Sequence, residues 1–191
     1  MKPIPLVRKA ELDDVPALQA LIPLAVRALS EEFYTPEQID SGIRHAFGVD
    51  TQLIADGTFF VAEVKSQIGG CGGWSWRRKI YGGDQVSQDS LTPLDPALDA
   101  ARIRAFFVHP EWARHGIGSA ILRACARAAA TAGFRRLELL GTLPGERLYR
   151  AFGFEVSEYV DHTLPDGVVV RWVRMGRNIG PGTNGWLPTS D

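Results

Sequence analysis

Apolar residues fall into two periods along this chain. In 15–33 and 118–133 they recur every three to four positions, as on one face of a helix: Ile121, Leu122, Cys125, Ala128 and Ala129 make such a stripe. Glu11–Asp14 supply acidic cap residues for the first of these helices, and Pro23 is expected to break or kink it. Residues 35–48 predict a second helix, with Thr35 as N-cap and Pro36 as its first residue. Elsewhere the pattern is that of strands: 4–10, 57–64, 67–78, 101–110 and 135–142, with two more around the turn signal Pro165-Asp166-Gly167. Lys65-Ser66 reads as the turn of a hairpin between the second and third strands. A short helix is expected over 144–154, ended by Gly153, as Gly133 ends the helix before it. The order is strand, two helices, strands, helix, strand, helix, strands. It predicts an α/β single domain over 1–176, a mixed sheet flanked by helices. Residues 79–100, rich in Pro, Gly and Asp, read as a long loop, and 177–191 as a mobile tail.

Length and charge narrow the classes. The 191 residues suit one domain, and 21 Lys plus Arg against 22 Asp plus Glu leave a net charge of -1. No bulk electrostatic case exists for nucleic acid or an anionic membrane. The two cysteines, Cys71 and Cys125, form no CxxC pair, and no His cluster has zinc spacing, so no metal is expected. No signal peptide is visible at the N-terminus and no long apolar run predicts a membrane span, so the expected compartment is the cytoplasm.

The stretch HPEWARHGIGSAIL (109–122) carries the chemistry. Two glycines, Gly116 and Gly118, stand where a strand passes into a helix. A helix N-terminus has unpaired N–H groups and a partial positive charge, and glycines let a phosphate reach them. Arg114 adds a cation and Ser119 a hydroxyl. The plain alternative is a tight turn that uses glycine only for its geometry. Ile121 stands where a dinucleotide fingerprint has its third glycine, and no GxxxxGK[ST] loop exists, which disfavours NAD and ATP.

FFVHPEWARHGIGSAIL (106–122) resembles the acyl-CoA loop of the GNAT N-acetyltransferases: strand, V-x-P, [QR]-x-x-G-x-[GA], helix. GERLYRAFGFE (145–155) resembles their second signature, and the likeness spans residues 4–175. Ala113 departs from the usual [QR], with Arg114 one residue later. The resemblance implies a GNAT-like fold and acetyl-CoA as co-substrate. It implies that Phe106, Phe107 and Val108 pair with pantetheine through their backbone. Arg114, His115, Gly116, Ile117, Gly118 and Ser119 then form the pyrophosphate loop. Thr142 stands where many members have a cofactor-contacting Asn, and Tyr149 matches the tyrosine near the thioester sulfur. Many members pair as dimers through sheet edges; this sequence leaves a homodimer open.

Acetyl transfer needs a neutral amine, a donor to the thioester oxygen and a proton for the leaving thiolate. Tyr149 is the expected general acid, and Val108 N–H a candidate donor to the oxygen. Glu63, Glu138, Asp99 and His109 are candidate bases, beside an ordered water chain; Arg102 stands where some members have a Glu base. For the acceptor, the candidates are Phe33, Tyr34, Trp74, Ser75 and Trp76, with the loop from Lys79 to Asp84 as a cover. The leading expectation is an N-acetyltransferase acting on a small-molecule amine, a peptide N-terminus or a lysine. Its rival is a non-catalytic acyl-CoA-binding module, which needs the glycine loop and no acid.

Overall fold

Two left-handed residues, Lys65 (φ 50°) and Ser66 (φ 64°), turn β2 (Phe59–Val64) directly into β3 (Gln67–Ser75). This two-residue turn has a twist that matches its flanking strands. In the computed structural model, which describes residues 4–86 and 91–179, that hairpin seeds a seven-stranded sheet. Its other strands are β1 (Leu6–Lys9), β4 (Ala101–Val108), β5 (Arg136–Thr142), β6 (Glu155–Thr163) and β7 (Val169–Asn178). The order is β1-β2-β3-β4-β5-β7-β6, and β4–β5 is the one parallel pair. A parallel pair needs a crossover, here α4 (Ile117–Thr131).

Helices cover both faces. α4 and α5 (Glu146–Ala151) bury Ile121, Leu122, Cys125, Leu137, Leu139 and Met175 on one side. α1 (Val15–Ser30), α2 (Pro36–His45) and α3 (Thr51–Ala55) bury Leu18, Ile22, Leu53, Phe59, Val61 and Trp172 on the other. β2 sends Phe59 and Val61 to one core and Phe60 and Ala62 to the other. A strand covered on both faces has no polar side, hence its unbroken apolar run. Thr35 caps α2 as expected, its Oγ1 accepting from Gln38 N–H at 3.2 Å.

Three expectations change. α1 runs through Pro23 from Val15 to Ser30 without a break. One lost backbone bond is outweighed by Leu18, Leu21, Ile22, Ala25 and Val26, buried on both sides of the proline. The five-residue α3, capped by Asp50 accepting from Gln52 N–H at 3.2 Å, was too short to show a period. β7 continues past residue 176: Arg177 and Asn178 pair with Leu137 and Arg136, and the N–H of buried Ile179 donates to Arg135 carbonyl at 2.8 Å. The rest of the expected tail, 180–191, lies outside the described residues.

Candidate active site

β4 and β5 pair only at their beginnings, Ala101 with Leu137 and Arg102 with Glu138. A bulge lies further along β4, where β4 has one more residue than β3 between the pairs Gly73–Arg104 and Cys71–Phe107. Ala105 sits at the bulge in the left-handed region, φ 56°. Such a conformation costs a non-glycine residue on the order of 1–3 kcal/mol and bends the strand. Between the C-terminal halves of the two strands lies a cleft of about 950 Å³, lined by 103–108 on one side and 139–142 on the other.

One end of the cleft is the α4 N-terminus. The first α4 bond to a residue before the helix runs from Ala120 N–H to the Gly116 carbonyl at 2.9 Å. The amides of Ile117, Gly118 and Ser119 therefore have no carbonyl partner within the helix. Gly116 takes φ 82°, and a Cβ there would meet nothing within 4 Å, so its glycine answers to backbone conformation and faces open space. Gly118 is different: a Cβ would lie 3.0 Å from Leu148 Cδ2, so its glycine lets α5 pack close. The paired glycines thus combine a turn requirement, a packing requirement and an open cradle. Arg114 and, on α5, Arg147 line this end, both exposed and without hydrogen bond or ion pair among the described residues. His115 does not line it; its Nδ1 donates to the Ala113 carbonyl at 2.8 Å and its ring meets Trp112 edge-on.

Phe106, Phe107, Val108, Thr142 and Tyr149 also line the cleft. His109 N–H donates back to Gly69 carbonyl on β3 at 2.9 Å. Alternation along the strand therefore turns the N–H of Val108 to the opposite edge, toward the gap. Tyr149 is buried, edge-on to Phe106 (6.1 Å) and Phe154 (5.7 Å). Burial pushes its hydroxyl well above the ordinary tyrosine range, so it stays a neutral donor.

The far end separates the acceptor candidates. Phe33 lines the cleft and is exposed. Tyr34 does not: it is buried, donating from its hydroxyl to Arg171 carbonyl (2.7 Å) and accepting from Leu143 N–H (2.9 Å). Trp74, Ser75 and Trp76 are also outside the cleft. Ser75 pairs with Arg102, at the beginning of β4, whereas the cleft opens at its end. Trp74 packs on Phe134, Ser75 Oγ accepts from Arg77 N–H, and the Arg77 guanidinium covers the Trp76 ring at 4.0 Å. Antiparallel pairing carries this end of β3 away from the cleft, which their aromatic character did not reveal. Of the covering loop, Ile80, Tyr81 and Gly82 do line the cleft.

None of the four candidate bases lines the cleft. Glu63 pairs with Arg8 (2.7 Å), Glu138 with Arg102 and Arg174, Asp99 accepts from Asp95 N–H, and His109 Nδ1 accepts from Glu111 N–H. The carboxylates that do line it are Glu32 and Glu146. Glu146 is engaged by Arg150 at 2.7 Å and by the Tyr159 hydroxyl. Glu32 is exposed, with no such partner among the described residues. Its place after a helix end reads in sequence as a solvated surface. Arg104, on β4, also lines the cleft and is buried in ion pairs with Asp50. Cys71 and Cys125 are buried free thiols, both raised by burial. Among the described residues no cluster of three His, Cys, Asp or Glu is placed to hold a metal, and no helix is long and apolar enough to cross a membrane.

Comparison with known proteins bears on the family and the fold. Residues 55–156 match the model of the acetyltransferase (GNAT) domain. A GCN5-related N-acetyltransferase from Rhodopseudomonas palustris superposes with a TM-score of 0.69 at 16% identity, over 94% of this chain and 98% of that one. PaiA N-acetyltransferase from Thermoplasma acidophilum, solved in complex with coenzyme A, gives 0.60 at 13% identity, over 92% and 99%. A GNAT family acetyltransferase from Brucella melitensis, solved with acetyl-CoA, gives 0.56 at 19% identity, over 93% and 90%. At these identities the structural likeness is one of fold. No curated protein matches in sequence.

Proposed function

Because the chain belongs to the GNAT acetyltransferase family, we propose that it transfers an acetyl group from acetyl-CoA to a primary amine by direct attack. One observation carries this reading: one cleft is lined both by the α4 N-terminus, with its free amides, and by Tyr149, across the gap between β4 and β5.

The residues fit coenzyme A. Its pyrophosphate suits the Ile117, Gly118 and Ser119 amides above the open face of Gly116, with Arg114 and Arg147 as cations. Arg114 thereby supplies the charge that Ala113 cannot. Its amide-bearing arm suits the unpaired edges of Phe106–Val108 and Leu139–Thr142, where a strand-like ligand replaces the missing ladder. When bound, acetyl-CoA supplies an acyl carbon already activated by a sulfur leaving group.

The protein's own groups do the rest. Val108 N–H donates to the carbonyl oxygen as negative charge gathers there. Glu32 takes the proton from the acceptor ammonium, whose pKa of about 10.4 otherwise leaves no lone pair at neutral pH. As the C–N bond forms and the C–S bond breaks, the Tyr149 O–H donates to the departing sulfur. A free thiol has a pKa near 8.5, far below that of this buried tyrosine. Tyr149 therefore works first as a hydrogen-bond donor to the thiolate, and Glu32 and solvent carry the net proton.

The test is acetyl transfer to an amine panel by the wild type and Tyr149→Phe, with CoA affinity measured beside it. Loss of turnover with retained affinity supports the enzyme. Unchanged turnover removes Tyr149 from the mechanism, and CoA binding without turnover of any amine favours the binding module.

A further inference from the structure

The acceptor end of the cleft holds a buried charge imbalance. Arg104 and Lys79, each with a side chain only 3% exposed, share one fully buried carboxylate, Asp50. Lys79 Nζ lies 3.5 Å from Asp50 Oδ2 and donates to the Gly83 carbonyl at 2.9 Å. The nearby Asp84 is exposed, and its Oδ1 is taken by the N–H and hydroxyl of Thr51. Every hydrogen bond that Arg104 makes among the described residues goes through Nη2, to Asp50 and to the carbonyls of Tyr81 and Gly82. Its Nε is buried without a partner, and Nη1 donates to none of these groups. Burial lowers the pKa of both cations, as expected of positive charge incompletely compensated.

An isolated buried charge is costly, so a second cation on one buried carboxylate leaves a positive charge that a bound anion would compensate. Arg104 differs from Lys79 in lining the cleft, three residues before Phe107 on β4 and on the other side of the Ala105 bulge. The same cleft is lined by apolar Val26, Leu29 and Phe47 and by the exposed Glu32. An anionic group beside Arg104 and an ammonium within reach of Glu32 would complement both charges.

We infer that the acceptor is an amino acid in the broad sense, a primary amine that also carries a carboxylate, and that Arg104 is the residue that receives this carboxylate. One negative charge matches the excess of one among the buried groups, the charge of Asp84 acting on Lys79 from the exposed side. A phosphate carries close to two charges and needs more donors than Arg104 has free. This inference rests on the acetyl-transfer reading and deepens it.

The experiment uses the full chain with saturating acetyl-CoA and follows CoA release. Amino acids with one to four carbons between amine and carboxylate are each compared with the corresponding carboxamide. The expected result is a preference for the acid of at least about tenfold in kcat/KM. Arg104→Gln, which leaves Asp50 paired to Lys79, is expected to cut that preference below about threefold with the Kd for CoA unchanged. Equal turnover of acid and carboxamide by the wild type overturns the inference and leaves acetyl transfer standing. A binding arm covers both a variant that does not fold and a wild type that turns over no amine. Hydroxy acids, which lack the amine, and their amides are added to the wild-type CoA complex in thermal melts. Stabilisation by the acids alone supports Arg104 as the carboxylate site; equal shifts, or none, overturn it. Turnover of no amine at all, acid or amide, counts against acetyl transfer itself.

Discussion

The Tyr34 hydroxyl donates to the Arg171 carbonyl at 2.7 Å, joining the turn after α1 to β7 across the sheet face. The same oxygen accepts from Leu143 N–H at 2.9 Å, just past the end of β5, where the cleft begins. Tyr34→Phe removes both bonds and leaves a backbone amide unsatisfied. The expected cost is about 1–3 kcal/mol, a drop in Tm of roughly 2–12 °C. Calorimetry checks it; a Tm within one degree of wild type would show that water takes over the hydroxyl's place.

Tyr149→Phe keeps the ring against Phe106 and Phe154 and removes only the donor. Turnover is expected to fall by about 10² or more. The pH profile is a second check. Burial raises the Tyr149 pKa, and the active form is the protonated one, so the donor is intact at every pH below the ordinary tyrosine value near 10. The wild-type rate therefore has no alkaline decline due to Tyr149 between pH 7 and 10. A decline centred near 9 that vanishes in Tyr149→Phe contradicts this.

The two loop glycines should fail differently. Gly116→Ala meets no atom but must hold φ 82°, so it costs about 1–2 kcal/mol of stability and weakens CoA binding as the loop relaxes. Gly118→Ala puts a methyl 3.0 Å from Leu148 and shifts α5, which carries Tyr149. Its main expected effect is on kcat. Paired melting and steady-state measurements separate the two, and identical profiles would refute the division.

Glu32→Gln removes the unengaged carboxylate that lines the cleft, the proposed base. We expect kcat/KM for the amine to fall about tenfold or more, with the Kd for CoA unchanged. The loss should shrink as pH approaches the acceptor's own pKa, where the amine arrives neutral. A deficit independent of pH argues for a positioning role instead.

Local patterns in this chain are strongly legible. The helical stripe of α4, the Lys65-Ser66 turn, the Thr35 cap and the left-handed Gly116 each act over a few residues, so neighbouring side chains suffice to reveal them, whereas Gly118 answers to Leu148 on α5. The strand end, loop and helix start that line the cleft from Phe106 to Ser119 belong to this class, because they are consecutive; Leu139–Thr142 and Arg147, proposed to meet the same cofactor, are not.

The half of the cleft proposed for the acceptor comes from residues far apart in the chain. Glu32, Phe47, Tyr81 and Arg104 meet only because α1, the segment before α3 and the segment after β3 converge on β4. Trp74 and Trp76 looked equally suited until antiparallel pairing carried them to the other end of β4. The cleft itself depends on where a parallel ladder stops and on one left-handed alanine in a bulge. Backbone pairing and convergence of this kind are set by the packing of whole elements, which no short window of side chains encodes.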